Sequence, residues 1–127
     1  MKRVVGIGGI FFKAKDPERL REWYRDHLGF DVDDWGGVAF QPSGDKSRVE
    51  NERTIWSLFA HDSTYFAPSA QPFMINYRVD DLHSLIATLR KEGCAVDDKI
   101  DDSDYGKFGW VMDPEGNRIE LWEPPKT

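Results

Sequence analysis

The sequence predicts an α+β fold, two like modules packed into one curved sheet with their helices on its convex side. Three observations predict it. At 127 residues the chain is one domain, long enough to bury roughly two-thirds of its unfolded surface. A strand–Asp–helix–Gly–strand order occurs twice at a near-constant offset: Asp81 minus Asp16 and Leu85 minus Leu20 are both 65, and Gly93 minus Gly29 is 64. Each half holds one helix and about four strands, too little to cover its own sheet, so the halves must share a core.

Val4 to Lys13 reads as the first strand, rich in glycine at Gly6, Gly8 and Gly9. Asp16 then supplies an N-cap and Pro17 the first helical position. Leu20, Trp23, Tyr24 and Leu28 follow at helical spacing until Gly29 ends the helix. Phe30 and Val32 begin a second strand, Gly36-Gly37 turns into Val38 to Gln41, and residues 42–52 form a polar loop. Thr54 to Ala60 is a further strand, with Trp56 and Leu58 assigned to the inner face. His61 to Gln71, holding Tyr65, Phe66 and Pro68, is an irregular linker.

The second half repeats the order. Phe73 to Val79 is a strand, Asp80-Asp81 caps a helix carrying Leu82, Leu85, Ile86 and Leu89, and Gly93 closes it. Val96 lies in a short strand, and a hairpin completes the chain. On its incoming strand Phe108, Trp110 and Met112 alternate. Pro114 presets φ in the turn Asp113 to Asn117, and Gly116 accepts the positive φ that other residues resist. On the outgoing strand Ile119 and Leu121 point one way, and Arg118, Glu120 and Trp122 the other. Glu120 thus shares a face with a tryptophan, which a purely structural face would not call for. The modules span about 4–62 and 72–124 of the single domain 1–127.

Composition narrows the function. A net charge of −6, a pI near 5.0 and the lack of a basic run argue against a nucleic-acid binder. The one cysteine, Cys94, excludes an internal disulfide and a CxxC-type metal site, and fits a reducing compartment. Lys13, Lys15 and Asp16 follow the apolar stretch where a signal peptide would be cleaved, and no segment approaches the length of a membrane span. The expectation is a cytoplasmic protein with neither nucleic-acid nor membrane partners. Five tryptophans, four tyrosines and eight phenylalanines in so short a chain point to an aromatic-lined pocket.

These residues also resemble a known family. Gly-Ile-Gly-Gly-Ile-Phe-Phe-Lys-Ala-Lys-Asp ahead of a helix ending in Leu-Gly-Phe, Tyr-Arg-Val-Asp-Asp-Leu in the middle, and Phe-Gly-Trp-Val-Met-Asp-Pro-Glu-Gly-Asn-Arg-Ile-Glu-Leu-Trp-Glu-Pro at the end look like the vicinal oxygen chelate superfamily. That group holds glyoxalase I, bleomycin-resistance proteins, fosfomycin-resistance enzymes and extradiol dioxygenases. The resemblance implies tandem βαβββ modules forming one cupped eight-stranded mixed sheet, with a ligand site on the concave face and a homodimeric assembly. It also implies His and Glu ligands for a divalent metal at four strand positions, two per module. Aligned by the repeat, with Ile55 matched to Ile119, those positions hold Gly9, Trp56, Met74 and Glu120, so only Glu120 matches. A catalytic zinc site normally uses three protein ligands. No histidine repairs the set by its spacing, and His61 is the nearest to an imported ligand. No cofactor is therefore expected.

The resulting expectation is a bleomycin-resistance-like protein that binds a small aromatic or cationic molecule in the concave pocket without a metal. Phe11, Trp56, Leu58, Met74, Asn76, Tyr105, Phe108, Trp110 and Trp122 would line it, with Tyr105 on a mobile lip beside an acidic loop. The alternative is a lyase- or isomerase-type enzyme, lactoylglutathione-lyase-like. There Glu120 is catalytic, either as a general base whose pKa desolvation lifts toward neutrality or as the sole protein carboxylate on a weakly held metal. Two plainer readings stand beside these: an interaction module with a filled cup, and a Glu120 that is simply paired to Arg78 or Arg118.

Overall fold

The computed structural model describes residues 3–41 and 53–125. Its elements, in order, are β1 (Val4–Ala14), α1 (Pro17–Leu28), β2 (Gly37–Phe40), β3 (Thr54–Ala60), β4 (Phe73–Val79), α2 (Leu82–Lys91), β5 (Ala95–Val96), β6 (Asp101–Ser103), β7 (Gly106–Met112) and β8 (Arg118–Glu123). The eight strands form one mixed sheet in the order β2-β3-β1-β4-β8-β7-β5, with β6 also pairing to β7. The predicted α+β class and eight-stranded sheet are both found.

Local sequence explains the elements. Asp16 accepts a hydrogen bond from the Arg19 N–H at 3.2 Å, and Gly29 closes α1 at φ 70°. Asp81 caps α2 in the same way through the Ser84 N–H. The β7–β8 turn closes on Asp113, whose side chain accepts from the N–H groups of Glu115 and Asn117. Phe30 and Val32 are a correction. They form no strand, and instead tuck as coil residues against Val38, Trp56 and Leu58 under α1. The linker between the modules contains a cis Ala67–Pro68 bond. The polar loop expected at 42–52 lies outside the described residues.

The duplication is visible as near symmetry. β1 and β4 pair antiparallel at the centre, with Ile10 opposite Ile75, Phe11 opposite Met74 and Gly9 opposite Asn76. Residues 65 apart in sequence thus sit about a pseudo-two-fold axis at Ile10 and Ile75. The helices occupy one face. Under α1, Leu20 and Tyr24 pack on Ala14, Val38, Trp56 and Leu58. Under α2, Leu82, Leu85 and Ile86 pack on Val79 and Leu121. The opposite, concave face has its own core of Phe11, Phe66, Met74 and Trp110.

Candidate functional site

Ladder register assigns each side chain to a face. Glu120 lies opposite Asn76 on β4 and Trp110 on β7. Opposed residues of paired strands project to the same face, so all three meet in the concave sheet. Glu120 is only 2 % exposed, and three donors end on its carboxylate: Asn76 Nδ2 on Oε1 at 2.7 Å, and Trp110 Nε1 at 2.9 Å with the Tyr65 hydroxyl at 2.5 Å on Oε2. An ionised carboxylate can only accept, so this environment matches it. Burial, then the neighbouring charge of Glu120 and the bond to it, push the Tyr65 phenol far above its ordinary value.

The arginines weighed as partners of Glu120 are engaged elsewhere. Arg78 donates to the carbonyls of Ile7 and Arg53. Arg118 lies over the Trp110 ring at 5.0 Å, donates to the Ala67 carbonyl and approaches Asp97 at 3.6 Å.

Tyr65 and Phe66 come from the linker, which crosses the concave face and fills its centre. Phe66 is fully buried among Phe11, Met74 and Trp110, while the Tyr65 ring stacks on Phe59 at 5.4 Å and remains 40 % exposed. Sequence reading missed both as site residues. The one available signal was two adjacent aromatics in an otherwise polar, proline-bearing linker.

Of the residues expected to line the pocket, Phe11, Met74, Asn76, Phe108, Trp110 and Trp122 do share the concave face. Trp122 stacks on Phe108 at 6.2 Å and donates to the Tyr105 carbonyl at 2.9 Å. Tyr105 stands at the tip of the β6–β7 hairpin, 79 % exposed. Trp56 and Leu58 do not belong to this face. Phe11 is opposite Ser57, and Ile10 is opposite Trp56, so Trp56 and Leu58 point under α1. There Trp56 meets Tyr24 at 4.8 Å and Phe30 at 4.9 Å. Matching Ile55 to Ile119 was one residue out of register, and such a slip exchanges a strand's faces. Asn76 pairs with Glu120, its repeat mate Phe11 pairs with Ser57, and Ser57 is therefore the true counterpart of Glu120.

The four superfamily ligand positions thus hold Gly9, Ser57, Met74 and Glu120. One has no side chain, and another is a thioether fully buried in an aromatic core. The lone carboxylate has three donors on its two oxygens. This donor set does not fit a hard divalent cation, which needs several free oxygen or imidazole ligands. Among the described residues no group of three or more His, Cys, Asp or Glu stands together in a metal-binding arrangement. His61 is exposed in the turn after β3.

The first module's half of the concave face is barer. Gly8 leaves room there for Asn76: a Cβ on Gly8 would lie 2.2 Å from Asn76 Oδ1 and 2.9 Å from Trp122. That Oδ1 is buried with no hydrogen-bond partner among the described residues. Further out, the Trp35 ring covers Gly37, which is opposite Ser57, and is 55 % exposed. Trp35 thus lies over Gly37 beside Ser57, and Tyr65 lies against Phe59, two residues on along the same face of β3.

A family profile described as a glyoxalase-like domain matches residues 9–122. No curated protein matches the chain. Among solved structures, methylmalonyl-CoA epimerase from Mycobacterium tuberculosis is similar at 19 % identity and TM-score 0.69, over 99 % of this chain and 92 % of that one. A variant of Streptomyces coelicolor methylmalonyl-CoA epimerase in complex with 2-nitronate-propionyl-CoA is similar at 17 % identity and TM-score 0.72, over 98 % and 97 %. A glyoxalase/bleomycin resistance protein/dioxygenase superfamily member from Vibrio splendidus 12B01 is similar at 14 % identity and TM-score 0.62, over 92 % and 97 %. At these identities the likeness is one of fold.

Proposed function

The chain belongs to the glyoxalase-like domain family, and from that premise we propose that it binds a small planar aromatic or cationic molecule on the concave face without a metal. The observation that carries this reading is the pair of exposed rings beside β3, Trp35 over Gly37 and Tyr65 against Phe59, with Ser57 on the same face and a nearby carboxylate already satisfied by protein donors. Aromatic faces bind flat rings by stacking and cations through the ring quadrupole. Ser57 offers one hydroxyl to orient a polar group, and the net charge of −6 favours a cation. The centre of the cup is taken by Tyr65 and Phe66, which moves the expected site from the middle of the sheet toward β2 and β3.

The test is a titration of ¹⁵N-labelled protein with benzyltrimethylammonium and with p-cresol, following the five indole N–H signals. The reading expects the Trp35 signal to move with saturation and Trp35→Ala to abolish binding. Shifts confined to Trp110 and Trp122, or none with either probe, would refute it.

A second reading has one observation in its favour: Tyr65 links solvent directly to the buried Glu120. Displacing the phenol would open one lone pair of Oε2, which keeps its bond from Trp110 Nε1, to act as a general base in an isomerase-type proton transfer. Incubation with methylmalonyl-CoA in D₂O tests this. Deuterium incorporation that vanishes in Glu120→Gln would support it, and no incorporation by the wild type would remove it.

A further inference from the structure

We propose a second binding site, outside the surface at Trp35, that takes a free α-amino acid with an apolar side chain. A cavity of about 360 Å³ lies at the β5 edge of the sheet, lined by Pro68 of the linker and by the β5–β7 ladder. That is the size of a small-molecule site. Arg118 is opposite Met112, and Met112 is opposite Ala95. The three therefore project to one face, the concave one that also carries Glu120, and they line the cavity together. Val96 adds apolar surface, and Asp97 and Asp98 bring two carboxylates to the lining.

Arg118 is the group left unfinished there. Its guanidinium lies over the Trp110 ring at 5.0 Å, and Nη1 donates to the Ala67 carbonyl. Trp110 is itself fixed by its bond to Glu120 at 2.9 Å, so the arginine is held in place. Its Nε, however, is buried with no hydrogen-bond partner among the described residues. Nη2 has Asp97 at 3.6 Å, beyond hydrogen-bonding distance. Nε and Nη2 together form the side-on fork with which arginine holds a carboxylate through two parallel bonds. A buried donor without an acceptor is destabilising, and a carboxylate on this fork would relieve it.

Charge decides the class of ligand. The lining holds one guanidinium against the two carboxylates of Asp97 and Asp98. A simple anion would be repelled by the aspartates, and a simple cation by Arg118. A zwitterion satisfies both signs, with its carboxylate on the Nε–Nη2 fork and its ammonium on Asp97 and Asp98. Arg118 and Asp97 stand only 3.6 Å apart, so the ligand's two charged groups must be close neighbours, as they are on one α-carbon. The Asp97 side chain is 38 % exposed, which gives it room to turn from Nη2 to the ammonium. Pro68, Val96 and Met112 then offer an apolar wall to a side chain such as that of leucine.

Titration of the ¹⁵N-labelled full chain with L-leucine tests this, beside isocaproate, which lacks the ammonium, and isopentylamine, which lacks the carboxylate. The Trp110 indole signal and the Val96 amide signal are expected to move with saturation by leucine, while the Trp35 indole signal stays in place. Each truncated probe should bind about ten- to a hundredfold more weakly, the loss of one charge-assisted contact. Arg118→Gln and Asp98→Lys should each weaken leucine binding by a similar factor, and Trp35→Ala should leave it unchanged. Asp98 is exposed, so Asp98→Lys carries the test should Arg118→Gln fail to fold. The Trp35 surface and this cavity are read by different signals, so either can fail alone. No movement of the Trp110 and Val96 signals with leucine up to about 20 mM, equal binding of either truncated probe, or leucine binding unaltered by Asp98→Lys would each overturn the proposal.

Discussion

Glu120 accepts three hydrogen bonds inside the sheet, and the groups that supply them depend on it in turn. Glu120→Ala would strand Asn76 Nδ2 and Trp110 Nε1 in a buried site and cost the Tyr65 hydroxyl its acceptor. At 1–3 kcal/mol for an unsatisfied buried group, the expected loss is about 3–5 kcal/mol, read as a lower urea midpoint. Tyr65→Phe removes one donor and leaves two, and should cost less, about 1.5–3 kcal/mol. Tyr65 also carries a pH signature. Its folded-state pKa lies above the ordinary value of 10.0, because it is buried and bonded to a carboxylate. Its contribution is therefore complete below pH 10 and is lost as the unfolded chain ionises at higher pH. Unfolding measured across pH 9–11 should show a steeper alkaline loss for wild type than for Tyr65→Phe. Equal slopes would place the phenol outside this network. That Glu120 would be a buried carboxylate among tryptophans was legible from the alternation of β8. Its partners were not, because Tyr65 sits 55 residues away in a segment with no periodicity to read.

At the scale of elements, the linker behaves as part of the core. Phe66 touches the same cluster as Phe11, Met74 and Trp110, so Phe66→Ala should cost about 3–5 kcal/mol, as a core phenylalanine does. A loop residue that merely rests on the surface would cost a few tenths of that. Strand β1 imposes a different constraint at Gly8, where an added methyl meets Asn76 Oδ1. Gly8→Ala should therefore loosen the Asn76–Glu120 bond and lower Tm. The β7–β8 turn responds to acid. Hydrogen bonds from the Asn117 side chain, and then from backbone N–H groups, hold the Asp113 carboxyl below its ordinary 3.8. Its contribution is present above pH 3.8 and fades as pH falls through the lower folded value. Helix caps, the hairpin turn and the repeat were all readable because short-range chemistry specifies them. The phase of β3 was not. Thr54 to Ala60 is apolar on both faces, so alternation says nothing, and only the partners under α1 show that Trp56 turns away from the cup.

For the molecule as a whole, the two modules have diverged in role around a common axis. Module two supplies Glu120, Asn76 and Trp110, the linker closes over them, and module one keeps the open surface at Trp35 and Ser57. The eight-stranded sheet followed from the repeat and the resemblance, whereas the filling of its centre required three-dimensional contacts between distant segments. Glu120 is bonded to three protein donors, and on that geometry the proposal is that it does not serve a metal. The most direct test is thermal unfolding of chelator-treated protein with Mn²⁺, Fe²⁺, Co²⁺, Ni²⁺ or Zn²⁺ added. Ligand at about 100 times Kd stabilises by roughly 2.7 kcal/mol, on the order of 10 °C for a domain of this size. Tm is expected to stay unchanged to within about 1 °C with every ion, against that scale. A rise on the order of 10 °C that disappears in Glu120→Gln would contradict it and mark Glu120 as a metal ligand.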